Sequence, residues 1–153
     1  MGNQFSQGGS SKSSASRMKL DNTTIRTMSF FSKRTGVSPV NCITSNKTLV
    51  FVVEKGQAIK ALGKNGENVK SMRSAFNKDI KVFERGENID ETVQNFLYPI
   101  KLNSIRVLRR VLSILLDNPE ERRILLANGR KQLKILRTVL SQYHPEIRDV
   151  QVL

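Results

Sequence analysis

The sequence predicts an α+β fold made of two tandem modules, each a small sheet packed on helices. Three observations carry that prediction. Short runs rich in β-branched and aromatic residues alternate with stretches whose apolar residues recur at helical spacing. The pattern then repeats, because sliding the second half back by about 64 positions brings Leu133, Leu136 and Leu140 onto Val69, Met72 and Phe76, and Ile114 onto Val50. Within the first copy a glycine pair, Gly63 and Gly66, separates two helical segments.

Taken in order, residues 1–17 have no periodicity and are rich in Gly and Ser, which reads as a disordered tail or an artificial linker. Order is expected from near Leu20. Asp21 and Asn22 are good N-caps for a helix carrying Ile25, Met28 and Phe31, with Gly36 as its stop and Pro39 preventing a restart. Strands follow over residues 40–44 and 49–53, with Ser45-Asn46-Lys47 as the hairpin turn. A short helix over 57–62, the loop 63–66, a helix with Val69, Met72 and Phe76 on one face, and a strand over 80–83 complete a first module, residues 20–86.

The second module, residues 88–153, opens with a helix capped by Asp90, running through Phe96 and ended by Pro99. Strands are expected over 104–107 and 111–116, a short helix over 120–126, a longer helix marked by Leu133, Leu136 and Leu140, and a last strand over 150–153. The boundary falls near Gly86 to Ile89. A module of about 65 residues is marginal alone, so the two are expected to pack together as one rigid unit.

The formal net charge is +13 and the pI about 10.4, which favours polyanionic partners. Nucleic acid is the first candidate, an anionic membrane surface the second, and acidic proteins the third. Cys42 is the only cysteine and His144 the only histidine, far apart in the chain. That pair gives no basis for a disulfide, a zinc site or a Cys–His nucleophile, and it points to a reduced, cytoplasmic protein with no metal and no cofactor. His144, between Tyr143 and Pro145, reads as a surface residue at a helix end.

No apolar run approaches the ~20 residues needed to span a bilayer, and no apolar core of a signal peptide is present. Met1-Gly2-Asn3-Gln4-Phe5-Ser6 does match the short N-myristoylation pattern. A lipidated peripheral membrane protein is therefore a rival reading, tested by mass spectrometry of the natural N-terminus.

The stretch with chemical content is Ala58-Ile59-Lys60-Ala61-Leu62-Gly63-Lys64-Asn65-Gly66-Glu67-Asn68-Val69-Lys70. A helix N-terminus presents unpaired N–H groups and partial positive charge to an anion. Glycines at 63 and 66 let a sugar-phosphate backbone approach, Lys64 adds a full charge, and Asn65 hydrogen-bonds or takes up an unusual backbone geometry. Lys60, Lys70 and Arg73 lie within reach of the same surface, where contacts would be sequence-independent and salt-sensitive. Two glycines three apart are by themselves a weak motif, equally suited to a tight inter-helix turn. The preceding hairpin and the positive charge favour the binding reading.

Those residues, with Phe30-Phe31-Ser32-Lys33-Arg34-Thr35-Gly36-Val37 and Phe51-Val52-Val53, resemble the KH family in its type II arrangement. The likeness is to the first KH module of archaeal NusA-like transcription factors. It runs from about Leu20 to Leu153 and is closer through residue 83 than beyond. The resemblance implies two tandem type II KH modules, binding of single-stranded RNA, and a role around transcription elongation or termination. The partner it implies is a nascent transcript, with RNA polymerase a further candidate. A KH loop holds the backbone of about four single-stranded nucleotides, with bases in an adjoining apolar groove. Ile59 and Val69 are the candidates for its floor, and Asn68 follows in the helix facing the ligand.

The second module departs from the pattern. Aligning residues 126–133 on 62–69 puts Ala127 and Arg130 where the glycines belong, with Gly129 out of register. Either this loop no longer holds RNA, or Asn128, Gly129, Arg130 and Lys131 meet phosphate in another geometry, and a mainly structural second module is the expectation. Arg109, Arg110, Arg122, Arg123, Lys134 and Arg137 would at most extend an electrostatic track. No nucleotide-binding P-loop and no carboxylate pair beside a histidine is present, and Glu54, Glu67 and Glu84 read as solvated surface residues, so no enzymatic activity and no small-molecule substrate are expected. A ribosome-associated KH protein shares the same loop physics and is the nearest rival.

Overall fold

The computed structural model describes residues 22–45 and 47–153. The expected tail, the lipidation pattern and the Asp21 cap fall on residues outside that part. The elements are α1 (Asn22–Thr35), β1 (Asn41–Ser45), β2 (Thr48–Val53), α2 (Ala58–Leu62), α3 (Glu67–Phe76), β3 (Asp79–Glu84), α4 (Ile89–Leu97), β4 (Ser104–Leu108), β5 (Val111–Leu115), α5 (Pro119–Tyr143) and β6 (Asp149–Val152). A single 3₁₀ turn, Lys64–Gly66, joins α2 to α3. The result is an α+β architecture in which two three-stranded sheets pack against helices.

The two sheets have the same topology. In the order β1-β2-β3, the first pair is antiparallel and the second parallel, and β4-β5-β6 repeats this. Val50 and Ile114, matched by the sequence offset, both sit on the central strand of their sheet and are fully buried.

The run Leu49 to Val53 lacks polar alternation because β2 is buried on both faces. Leu49, Phe51 and Val53 pack with Phe31, Val37, Ala61 and Met72 beneath α1, α2 and α3. The rings of Phe31 and Phe51 stack at 4.2 Å. On the opposite face Val50 and Val52 join Ile43, Phe83, Val93, Phe96, Leu136 and Leu140 in a larger core shared with the second sheet and its helices. Polar links reinforce that junction, with Asn41 Nδ2 donating to Tyr143 Oη at 3.1 Å and Ser45 Oγ donating to Thr138 Oγ1 at 3.2 Å. Lys81 is in register with Val50 and so lies on this face, its ammonium 4.4 Å from the Phe96 ring centre. Burial pushes its pKa down to about 8.

Several expectations need correcting. Ile25 is half exposed and does not join the core, whereas Phe31 is fully buried. Gly36 does end α1, at φ +75°, and its N–H donates to Ser32 O at 2.8 Å. The cap of α4 is Asn88, not Asp90: the Asn88 Oδ1 accepts the Glu91 N–H at 2.9 Å, and Glu91 Oε1 accepts the Glu87 N–H at 2.7 Å. This reciprocal pairing resembles a capping box and leaves Asp90 in the first turn, where its charge suits the helix end.

The two helices expected over 120–126 and from Leu133 are both present, as the two parts of α5 on either side of a break at residues 127–130, where Asn128, Gly129 and Arg130 take left-handed backbone angles. Glu84 is not a solvated residue. It is half-buried, and its Oε2 accepts the Ala58 N–H at 3.2 Å, at the start of α2. His144 is half-buried at the C-terminal end of α5, with its N–H donating to Leu140 O at 2.6 Å and its ring 3.7 Å from Glu146. Between β3 and α4, Gly86 passes so close to the backbone of Thr92 that a Cβ would lie 2.5 Å from the Thr92 nitrogen.

Candidate nucleic-acid interface

α2 and α3 meet at the glycine pair, and the two glycines serve different ends. Gly63 adopts φ +80°, ψ 170°, a backbone region restricted to glycine. Its missing Cβ is also filled. A Cβ there would lie 2.8 Å from the Asn68 side chain and 3.1 Å from the Asn68 nitrogen. Asn68 in turn donates from Nδ2 to Ala61 O at 3.2 Å, tying the first turn of α3 to the last turn of α2. Gly66 adopts φ +72° at the N-cap of α3 and has open space where a side chain would project. No side chain caps α3, so its N-terminal end faces the loop without a side-chain acceptor.

Beside the loop lies a shallow groove of about 330 Å³ lined by Ile59, Leu62, Gly63, Gly66, Val69, Lys70 and Arg73. Its walls are aliphatic and its rim is basic. Ile59 is 84% exposed, an unusual position for an isoleucine on a helix that packs against a core on its other side. Of the residues singled out in the sequence, Ile59, Gly63, Gly66, Val69, Lys70 and Arg73 come together here. Lys64 and Asn65 are exposed at the loop tip, with Asn65 left-handed at φ 56°. Lys60 points elsewhere, its side chain lying along Gly36 at the end of α1. Asn68 is turned inward as a brace. Leu62 lines the groove and was not singled out, although its spacing of three from Ile59 put it on the same helical face.

The break in α5 matches the first loop in position. Arg130, aligned with Gly66, takes φ 63°, so an arginine occupies the left-handed geometry that glycine holds in the first loop. Ala127, aligned with Gly63, has an ordinary φ of −70°. Asn128, Gly129 and Arg130 are exposed. The ammonium of Lys131 is engaged, forming an ion pair with Asp79 at the start of β3. That hydrogen bond and charge hold the Asp79 carboxyl below its usual range.

Burial pushes the Cys42 thiol up to about 11, which keeps it from ionising near neutrality. Among the described residues no group of three or more His, Cys, Asp or Glu side chains is placed to hold a metal ion. Among them, too, no helix is long and apolar enough to cross a membrane.

A family model described as KH domain matches residues 25–112. The match begins in α1 and runs past the connection at Gly86 into β5. Two archaeal proteins, each named "Probable transcription termination protein NusA", are similar to the chain. The Methanocaldococcus jannaschii protein is 27% identical over 140 residues, covering 90% of this chain and 76% of its own length. The Methanococcus vannielii protein is 35% identical over 91 residues, covering 60% of this chain and 53% of its own length. The chain therefore aligns with only about half of the second relative. The crystal structure of APE1850 superimposes with a TM-score of 0.76 at 30% identity, covering 88% of this chain and all of that one. Because the family match takes in the loop, the groove and the whole first sheet, and extends over more than half of the sequence, this chain belongs to the KH domain family.

Proposed function

We propose that the chain binds single-stranded RNA at the loop Gly63-Lys64-Asn65-Gly66 and serves as a cytoplasmic, NusA-like factor in transcription elongation or termination, without enzymatic activity. The observation that carries the reading is the pairing of an open Gly66 with an aliphatic groove. A phosphate backbone passes over Gly66 toward the uncapped end of α3, where Lys64 adds charge at the tip. Unstacked bases then cover Ile59, Leu62 and Val69, while Lys70 and Arg73 flank them. Lys60 contributes at longer range from the α1 side, and Asn68 acts through the loop it braces.

In this reading residues 20–86 are the gripping type II KH module, and residues 88–153 are a degenerate second one that supports it. The repeated sheet topology supports that division, as does the diversion of Lys131 to Asp79. The names of the archaeal relatives support a transcriptional setting, with nascent transcript as ligand and RNA polymerase as the neighbouring machine. Crosslinking in cells followed by sequencing of the bound RNA tests this. Enrichment of nascent transcripts is the expected outcome. Enrichment confined to ribosomal RNA would assign the chain to the ribosome instead.

A further inference from the structure

The second unit carries a concentration of arginine at a corner formed by the β4–β5 turn, the segment before β6 and α5. β4 and β5 are joined by a two-residue turn, because Leu108 pairs with Val111 and only Arg109 and Arg110 lie between. Both take positive φ, 52° and 67°. Such a turn ordinarily holds Asn-Gly, whose conformational freedom suits it, so two arginines here sit against local preference. The Arg110 carbonyl accepts the Arg148 N–H at 2.8 Å, just ahead of β6. The Arg148 carbonyl accepts from Arg137 Nε at 2.9 Å, from the exposed face of α5.

This chain of bonds draws Arg110, Arg148 and Arg137 to one corner, with Arg109 adjoining. All four residues are exposed, and none forms an ion pair with a carboxylate among the described residues. The adjacent Asp149 uses its Oδ1 to accept the Val150 N–H. The bond to the Arg148 carbonyl uses only Nε of the exposed Arg137, and a guanidinium's two terminal nitrogens form a fork that suits a phosphate bidentately. Clustered guanidinium groups without counter-charge repel one another until an anion joins them.

We propose that Arg109, Arg110, Arg137 and Arg148 form a second phosphate-binding corner, which holds single-stranded RNA beyond the segment gripped at residues 63–66. The inference rests on the RNA-binding reading. It moves the second unit's contribution from its degenerate loop to the hairpin-bearing end of its sheet.

The test uses the full chain with Arg109→Asn and Arg110→Gly together, and separately Arg137→Gln. The first pair removes two charges while giving the turn its favoured residues, so its melting temperature should equal or exceed the parent's. Against a single-stranded RNA of roughly 20 nucleotides, affinity should fall about fivefold or more, and the salt dependence should lessen by about 0.7 per lost contact. A strand of about four nucleotides, long enough only for the loop, should bind as before. Unchanged affinity for the longer strand would overturn the proposal, as would equal weakening on both lengths, which would mark a net-charge effect. Lost retention on polyglutamate with unchanged RNA affinity would assign the corner to an acidic protein partner and overturn it too. Should the parent chain bind no RNA at all, the functional reading itself fails. Binding that depends on residues 64 and 65 but not on these arginines removes only the corner.

Discussion

Replacing each glycine of the loop in turn should separate stability from binding. Gly63→Ala forces an L-residue into a backbone region near φ +80°, ψ 170° and drives its Cβ to 2.8 Å from the Asn68 side chain and 3.1 Å from the Asn68 nitrogen. The backbone strain costs about 1–3 kcal/mol and the overlap adds about as much again, since the Asn68 nitrogen belongs to a helix and yields little. A loss of roughly 2–6 kcal/mol overall would lower the melting temperature by about 6–19 °C in a chain of this size.

Gly66→Asp meets no atom within 4 Å, and aspartate tolerates a left-handed angle better than most residues. Its stability cost should be about 1 kcal/mol, close to the strain Arg130 already carries at the aligned position. Its carboxylate, however, would stand at the mouth of the groove beside the uncapped end of α3, where an RNA phosphate would pass. Affinity for single-stranded RNA should fall at least about tenfold, because a like charge replaces open space at the contact. Urea unfolding measures the first quantity and fluorescence anisotropy with labelled RNA the second. Equal destabilisation by the two substitutions, or full RNA affinity in Gly66→Asp, would refute the assignment of different roles to the two glycines.

Further predictions concern the junction of the two sheets. Lys81 titrates near 8 in the folded chain against 10.5 when free, so below pH 8 the fold bears the cost of burying its charge. Stability should rise from pH 8 toward 10.5 as the folded chain releases the proton first, and Lys81→Met should flatten that rise while stabilising the protein at pH 7 by up to ~3 kcal/mol. Denaturant titrations of parent and variant across that pH range check it, and parallel curves would count against a buried, charged Lys81. Gly86→Ala should cost about 1–3 kcal/mol, because the new Cβ meets the Thr92 backbone rather than a side chain able to move. Thermal melting checks it, and an unchanged midpoint would contradict the close approach.

Much of the first unit was legible because local signals agreed. Leu-Val-Phe-Val-Val named a strand, Gly36 a helix end, and the spacing of Val69, Met72 and Phe76 a packed helix. Which face of β2 met which helices was not legible. Val50 and Val52 find their partners on α4 and α5, some 40 to 90 residues away along the chain. The Asn88 cap was available as a pattern, Asn followed three residues later by Glu, but the acidic Asp90 was the more conspicuous choice.

In the candidate site, residue chemistry pointed to the glycine loop and to Lys70 and Arg73 beside it, while Ile59 and Val69 as the groove floor followed only from the KH resemblance. The inward turn of Asn68 and the lean of Lys60 toward Gly36 depend on how α2 sits against α3 and α1, which no spacing rule supplies. The Lys131–Asp79 pair joins residues 52 apart and was invisible for the same reason.

The most direct test of RNA binding at residues 63–66 is the affinity of the double variant Lys64→Asp, Asn65→Asp for single-stranded RNA at moderate salt. Both residues are exposed at the loop tip, so the fold should survive unchanged. The account predicts a loss of at least about tenfold with an intact unfolding midpoint, against little change for Asn128→Asp, Gly129→Asp in the second loop. Parent-like RNA affinity in the first variant, or a greater loss in the second, would contradict it.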